Sequence, residues 1–416
     1  MKRVSSIGIL LYCGLIVLFS CDREEKPDPD GFNVIVYNPV DVARENPMHI
    51  YVHYMPWFED RNSSLDGEWG MHWTMATQDP DIIDNEGKRE IASHFYPLIG
   101  PYASSDAYVI EYHLLLMKYS GVEGILFDWY GASDINDYGS IRENTEHVIG
   151  QIDDVGLKFG IVYEDRTIAA AMDQDPDLDR IVAAQNDMMY IDDQYFVHDS
   201  HILIDELPLI LVFGPEEFHD PDEWSEIISV CDHEPLFLVL NGKSAETVPV
   251  SSGEYIWVDN TSLENKYATM DNFDYFIGGA YPGFLDFYKE GGWGEGFDWQ
   301  IDHNNGTTFH ESLVLAQTYA VDYLQLITWN DFGEGTMIEP TLEFGFGMLE
   351  ILQDFTGVGY SAIELEKIHT QYTLRKHFAQ DHERQKILDQ SFYYFVSLQT
   401  DRAIELVDSL DALVVK

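Results

Sequence analysis

The sequence has few cations for its length. Lysine and arginine number 23 against 74 aspartate and glutamate residues, a formal net charge of -51 over 416 residues. Proteins bind phosphate backbones through clustered cations, so this balance argues against a nucleic-acid partner. It also argues against anionic polysaccharides and acidic membrane surfaces, whereas a neutral ligand is indifferent to the field of the protein.

The sequence also has few cysteines, and their positions exclude an internal disulfide. Cys13 lies in an apolar run over residues 7–19 that follows two cations. This run is shorter than the roughly 20 residues of a membrane-spanning helix, and it has the order of a secretory signal. We therefore predict that residues 1–20 form a cleaved signal peptide. Only Cys21 and Cys231 then remain. If Cys21 is lipid-modified, as argued next, Cys231 has no cysteine partner within the chain.

The segment LFSC, at residues 18–21, resembles the lipobox of bacterial lipoproteins. The resemblance implies that Cys21 becomes a lipid-modified N-terminus; an ordinary cleaved signal with an incidental cysteine is the alternative. Residues 21–32 are acidic and contain proline, which is typical of a tether. We expect a protein of the cell envelope that is lipid-anchored to the outer membrane, on its periplasmic or cell-surface side, and that touches the membrane only through this anchor.

The remainder, residues 33–416, is predicted to form one domain. Hydrophobic residues make up 45% of the sequence and aromatic residues 14%, enough for a large core. No repeat or low-complexity linker divides this part. Short runs rich in apolar, β-branched and aromatic residues are nearly continuous in hydrophobicity, which is typical of buried parallel strands. They lie at 48–55, 124–129, 158–163, 207–213, 236–240, 255–258, 275–277 and 323–328.

Helical patterns lie between many of these runs, at 108–119, 177–189, 222–230 and 308–321. Gly121 follows the first of them, where a helix end favours glycine. The alternation of strands and helices predicts an α/β fold, a (β/α)8 TIM barrel. The fifth and sixth units are too short for full helices, so we expect a somewhat irregular barrel. The pattern after residue 361 predicts C-terminal helices.

The active site of such a barrel lies at the carboxyl ends of its strands. The residues at these ends are aromatic rings interleaved with polar groups. Rings stack on the apolar face of a sugar, and carboxylates accept hydrogen bonds from its hydroxyls, so the set predicts a neutral-sugar site. Core packing is the alternative for each ring alone. The predicted substrate-binding residues are His53, Tyr54, Trp57, Asp128, Trp129, Tyr130, Glu164, Tyr281, Trp329 and Asn330.

The segment 326–340, LITWNDFGEGTMIEP, places Asp331 and Glu334 three residues apart in a glycine-rich turn. Cleavage of a glycosidic bond needs an acid to protonate the leaving oxygen and a second carboxylate as base or nucleophile. This pair can supply both groups. A turn with an aspartate cap and a solvated glutamate is the alternative.

This segment resembles glycoside hydrolase family 99, the endo-α-1,2-mannosidases and mannanases. It also resembles family 71, the α-1,3-glucanases, whose motif is closer in the first half. Supporting motifs lie in order along residues 48–350: HYMPWF at 53–58, FDWYG at 127–131, YED at 163–165 and YPGF at 281–284. The two resemblances imply an α-glycanase with the barrel fold.

The family 99 resemblance implies an endo-acting, retaining reaction through a 1,2-anhydro intermediate. By motif position, Asp331 would deprotonate the sugar 2-hydroxyl and Glu334 would be the general acid and then the base. The first of these positions is usually glutamate in the family, so the aspartate here is one methylene shorter. Glu164 matches a substrate-binding carboxylate of the family; a salt bridge to Arg166 or Lys158 is the alternative.

No cofactor and no metal is expected. The aspartates between residues 173 and 179 lack the glycine and terminal glutamate of a calcium loop and favour a helix N-terminus. His198 and His201 lack the spacing of a zinc-protease helix.

The sequence therefore predicts a glycoside hydrolase that cleaves α-linked neutral oligo- or polysaccharides, with α-mannan favoured and α-1,3-glucan second. The rival from another class is a non-catalytic surface lipoprotein that binds glycans on a hydrolase scaffold.

Overall fold

The structure is a computed structural model that describes residues 32–414. The predicted signal peptide, the lipidation of Cys21 and all but the last residue of the predicted tether lie outside the described residues. None of the helices within 32–414 combines the length and the apolar character that crossing a membrane requires.

Within residues 32–414, eight parallel strands close into a barrel. Their order is β3-β2-β1-β9-β8-β7-β6-β5, and pairing of the third strand with the fifth completes the ring. The fourth strand is a short antiparallel partner of the fifth. The predicted (β/α)8 barrel is confirmed. The strands are β1 (His49–Tyr54), β2 (Gly124–Trp129), β3 (Lys158–Tyr163), β4 (Leu203–Ile204), β5 (Leu207–Val212), β6 (Leu236–Leu240), β7 (Gly253–Tyr255), β8 (Tyr275–Ala280) and β9 (Tyr323–Leu326).

Helices surround this barrel. The loops after β6 and β7 hold only 3-10 turns and the short α7, which is the irregularity expected from the sequence. The helices are α1 (Met71–Thr74), α2 (Ala107–Tyr119), α3 (Tyr138–Val155), α4 (Thr167–Gln174), α5 (Arg180–Ile191), α6 (Pro221–Ile228), α7 (Leu263–Tyr267), α8 (Thr307–Tyr319), α9 (Gly347–Thr356), α10 (Ala362–His377), α11 (His382–Val396) and α12 (Thr400–Val414). The last three confirm the predicted C-terminal helices.

Side chains at the helix ends explain several of these boundaries. The carboxylate of Asp106 accepts a hydrogen bond from the backbone of Tyr108 and so caps α2. At the other end Gly121, with φ of +81°, donates its N–H to the carbonyl of Lys118. Asp179 caps α5 in the same way as Asp106 caps α2, so the aspartate segment does form a helix N-terminus.

Two parts of the organisation differ from the sequence prediction. Strand β7 spans Gly253–Tyr255, whereas the sequence predicted 255–258. The helices α3, α4 and α9 were not predicted from the sequence. In α3, the buried residues Ile141, Val148, Ile152 and Val155 recur at helical spacing, so the signal was present in the sequence. It was missed because polar residues and two glycines lower the hydrophobicity of the segment as a whole.

Side-chain alternation along the strands separates two cores. Leu126 and Val162 point into the barrel, while their neighbours Phe127 and Ile161 pack between the barrel and the helices. The same alternation continues to the carboxyl ends of the strands. It therefore decides which polar and aromatic residues reach the mouth of the barrel.

Candidate active site

A cavity of about 340 Å³ opens at the carboxyl ends of the strands. Its walls come from the ends of five strands and from the loops that follow β1, β8 and β9. Most of the residues predicted from the sequence line this cavity: His53, Trp57, Asp128, Tyr130, Glu164, Asp331 and Glu334. Their roles in catalysis and binding stay predictions.

The remaining predicted residues do not line the cavity, so the expectation that all of these strand-end residues face one sugar is wrong for five of them. They are Tyr54, Trp129, Tyr281, Trp329 and Asn330. Tyr54 and Trp129 follow inward-pointing residues, so strand alternation turns both rings toward the helices. Neither Trp129 nor Tyr281 therefore shares the cavity of the carboxylate pair.

These outward residues support the cavity from behind. Asn330 exchanges two hydrogen bonds with the backbone of Met55, at 2.8 and 3.0 Å, and donates a third to the hydroxyl of Tyr102 at 3.1 Å. Tyr102 in turn donates to the buried carboxylate of Glu339 at 2.7 Å. The end of β1 is thereby tied to the turn after β9.

That turn holds the two predicted catalytic carboxylates together. The backbone N–H of Asp331 donates to the hydroxyl of Thr328 at 2.8 Å, and one oxygen of Asp331 accepts from the N–H of Glu334 at 2.9 Å. Gly335 has φ of +65°, and a Cβ there would lie 2.8 Å from the carbonyl oxygen of Leu285. Asp331 thus closes the turn, but Glu334 is half-buried and lines the cavity instead of pointing into solvent.

Burial raises the pKa values of both groups. The pKa of Asp331 rises to about 7, although hydrogen bonds from the backbone N–H groups of Glu334 and Gly333 favour its ionised form. Burial and the charge of Asp331 raise the pKa of Glu334 to about 8, although the Tyr288 hydroxyl, 3.0 Å from its Oε1, opposes this. Because the charge of Asp331 disfavours ionisation of Glu334, the pair can hold one proton near neutral pH and so supply one base and one acid.

A second pair of carboxyls lies at the ends of β2 and β3. Burial raises the pKa values of both Asp128 and Glu164, and the charge of Glu164 raises that of Asp128 further. The guanidinium of Arg166 forms an ion pair with Glu164, so the salt bridge predicted as the alternative for Glu164 is observed. The side chain of Glu164 also lines the cavity. Lys158 instead donates to the carbonyl of Asp199.

His53 is the other polar group at the floor of the cavity. Its ring is buried, and burial lowers its pKa to about 3, so the imidazole is neutral. Nδ1 lies 3.4 Å from the amide oxygen of Gln325, and Nε2 has no hydrogen-bond partner within residues 32–414. A neutral imidazole with a free nitrogen suits a sugar hydroxyl.

The sequence analysis missed several aromatic rings of the wall. Trp257 was assigned to a strand, but β7 ends two residues earlier and leaves the ring at the cavity. Tyr288, Trp293 and Phe297 lie in the loop after β8. An aromatic and glycine-rich loop directly after a barrel strand was the available signal for these three.

The cavity contains four carboxyls, one guanidinium and many rings. No group of three histidine, cysteine, aspartate or glutamate side chains in the described part of the chain is placed to hold a metal ion. The arrangement can bind a neutral hydroxyl-rich ligand, and it can move a proton to and from it near neutral pH.

A barrel with paired carboxylates among aromatic rings at its strand ends is an arrangement that suits glycoside hydrolysis. The model of Glycosyl hydrolase family 99 matches residues 46–233, which include β1 to β5 and end before the turn of Asp331 and Glu334. The resemblance to family 99 is therefore confirmed, and the chain is a glycoside hydrolase. Glycosidases of this family are retaining and endo-acting.

Relatives and a solved structure show the same likeness. A Danio rerio protein, glycoprotein endo-alpha-1,2-mannosidase-like protein, is 21% identical over 332 residues, 70% of this chain and 70% of that protein. The Mus musculus glycoprotein endo-alpha-1,2-mannosidase is 30% identical over 126 residues, 28% of this chain and 26% of that protein. The structure of the GH99 endo-alpha-mannosidase from Bacteroides thetaiotaomicron has a TM-score of 0.57 at 19% identity, covering 75% of this chain and 99% of that chain, and shows the shared fold.

Proposed function

We propose that this glycoside hydrolase is an endo-acting α-mannosidase that cleaves neutral α-mannan or related α-mannosides with retention of configuration. The observation that carries the proposal is the position of Asp331 and Glu334, side by side in one cavity where burial raises the pKa values of both. The names of the relatives support the choice of mannose. The cavity volume of about 340 Å³ lies in the usual range of ligand sites.

In the proposed reaction, ionised Asp331 removes the proton from the sugar 2-hydroxyl. The 2-oxygen then forms a bond to the anomeric carbon as the glycosidic bond breaks, and Glu334 gives its proton to the leaving oxygen. Water next opens the 1,2-anhydro ring at the anomeric carbon while Glu334 takes a proton from it and Asp331 returns its proton to the 2-oxygen. Two inversions give net retention, and both carboxyls regain their starting states.

The surrounding groups hold the substrate. The neutral imidazole of His53 and the carboxylate of Glu164 can bond hydroxyls, while the rings of Trp57 and Tyr130 supply apolar faces for a pyranose. Since the carboxyls outnumber the single guanidinium of Arg166, an anionic sugar is disfavoured.

A substrate screen tests this proposal. The purified protein is incubated with yeast α-mannan, fungal α-1,3-glucan and defined α-mannosides, and the anomers of the products are followed by NMR. Release of α-configured oligosaccharides from mannan is expected. Cleavage of α-1,3-glucan alone would favour the family 71 alternative, a β-anomer as first product would reject retention, and binding of mannan without cleavage would favour a glycan-binding lipoprotein.

The tyrosine beside the proposed acid gives a prediction on pH dependence. The Tyr288 hydroxyl donates to Glu334 and so stabilises its ionised form. In Tyr288→Phe the pKa of Glu334 should therefore rise, and the alkaline limb of kcat/KM on yeast mannan should move to higher pH. Tyr275→Phe, on an exposed hydroxyl at the opposite end of β8, is the matched control and should leave the profile unchanged. An alkaline limb that stays in place in Tyr288→Phe would contradict the assignment of Glu334 as the acid.

We further propose that the mature chain works in the cell envelope, held by a lipid on Cys21. The segment LFSC and the acidic tether after it support this location.

A further inference from the structure

The loop after β8 covers one side of the cavity with aromatic rings. We refer to residues 285–299 as the aromatic loop. Trp293 and Phe297 lie in this loop, line the cavity and are 41% and 49% exposed. Neighbouring exposed rings at the mouth of a cavity indicate contact with a ligand that has an apolar face.

Hydrogen bonds join the aromatic loop to the turn that carries the proposed catalytic pair. The N–H of Leu285 donates to the carbonyl of Glu334, and the N–H of Phe287 to that of Gly333, both at 2.8 Å. Within the loop, the Asp286 carboxylate accepts from the backbone of Tyr288 and Phe297, at 3.1 and 3.2 Å. The rings are thus held at a defined distance from the pair despite the many glycines of the loop.

The aromatic loop lies beside Glu334 in particular. The Tyr288 hydroxyl donates to Oε1 of Glu334 at 3.0 Å, and the Tyr288 ring is stacked with Trp293, with centroids 6.3 Å apart and planes at 18°. Asp331 instead interacts electrostatically with Glu164, at the end of β3. Of the two carboxyls, Glu334 therefore has the direct hydrogen bond to the aromatic loop.

This difference gives the cavity a direction. A general acid protonates the oxygen of the leaving group, so the leaving sugar must lie on the side of Glu334. The aromatic surface continues on that side, because Trp293 meets the edge of His72 at 5.6 Å and His72 is stacked on Trp57 at 4.1 Å. The rings together offer an elongated apolar platform next to the proposed acid.

We propose that Trp293, supported by Phe297 and Tyr288, forms the binding site for the sugar on the leaving-group side of the cleaved bond. This inference rests on the proposed function, because it uses Glu334 as the acid. The ligand is a neutral pyranose that stacks on the exposed ring of Trp293. The opposite half of the cavity, with Asp128, Glu164 and Arg166, then holds the sugar that is cleaved at its anomeric carbon.

A comparison of two substrates tests this assignment. Yeast α-mannan has a sugar as its leaving group, whereas α-mannobiosyl fluoride has a fluoride ion that needs no sugar site. Trp293→Ala should lower kcat/KM on mannan about tenfold, the scale of one lost stacking contact, and change kcat/KM on the fluoride less than about twofold. Phe297→Ala should show the same pattern with a smaller loss.

Trp299→Phe is the matched control, because Trp299 stacks on Phe284 and does not line the cavity, and phenylalanine keeps a ring beside Phe297. It should leave both substrates unaffected. Equal losses on mannan and fluoride in Trp293→Ala would overturn the assignment, as would unchanged activity on mannan. If the wild-type protein is inactive on both substrates, the proposed function is rejected and this inference with it. If the wild type is active on both but Trp293→Ala shows no selective loss on mannan, the inference alone is rejected. Thermal unfolding of each variant confirms that it is folded.

Discussion

Replacement of Glu334 by glutamine is expected to lower kcat on yeast α-mannan at least about a hundredfold. The amide cannot protonate the leaving oxygen or take a proton from water. Glutamine has the same shape, and its amide oxygen can still accept the hydrogen bond of Tyr288, so the turn should be preserved. The measurement is steady-state kinetics on mannan, together with thermal unfolding of the variant.

The matched control for this variant is Glu350→Gln, at an exposed position on α9 outside the cavity, which should retain full activity. A second readout separates a chemical role from a structural one. With α-mannobiosyl fluoride the first step needs no proton donor, so Glu334→Gln should lose less activity on this substrate than on mannan. Near-wild-type turnover of mannan by Glu334→Gln would remove this residue from the mechanism.

Several strands and the turn of Asp331 and Glu334 could be predicted from the sequence because their signals are local. The strands β2, β3 and β6 occupy the predicted residues, since each is a short apolar run between breaks in hydrophobicity. The turn of Asp331 and Glu334 was visible in the same way, as closely spaced glycines and carboxylates after a strand. Local composition was sufficient to place both carboxyls at the barrel mouth.

The direction of each side chain at a strand end was harder to predict. Asp128 and Trp129 are adjacent, yet one lines the cavity and the other is buried against the helices. A shift of one residue in the end of a strand reverses such an assignment, because side chains alternate between faces. Trp257 shows the same effect, since it was assigned to a strand that ends at Tyr255.

The aromatic loop could not be placed from the sequence, because its position depends on contacts between distant segments. Its backbone is bonded to the turn after β9, and the N–H of Ala76 donates to the carbonyl of Gly291 in the loop. Neither partner is recognisable without the closed barrel. The aromatic composition of the loop was visible in the sequence but was not connected with the site, and the fold shows that the loop adjoins Glu334.

Replacement of Asp331 by asparagine is expected to have an effect at least as large as that of Glu334→Gln, about a hundredfold to ten-thousandfold on kcat. The asparagine amide cannot accept the proton of the sugar 2-hydroxyl, and Glu334 must keep its own proton for the leaving oxygen. The asparagine side-chain oxygen can still accept the N–H of Glu334, so the loss should not arise from collapse of the turn. Asp354→Asn, an exposed position on α9, is the matched control and should behave as the wild type.

The residual activity of Asp331→Asn carries a more specific signature. The charge of Asp331 helps to raise the pKa of Glu334, so its removal should lower that pKa. Glu334 would then lose its proton at lower pH, and the alkaline limb of the residual pH profile should move toward acid, opposite in sign to the shift expected for Tyr288→Phe. Opposite shifts in the two variants require that both residues act on the same acid. A profile that stays in place in Asp331→Asn would show that the two carboxyls are not coupled, and the acid and base roles would have to be sought among Asp128 and Glu164.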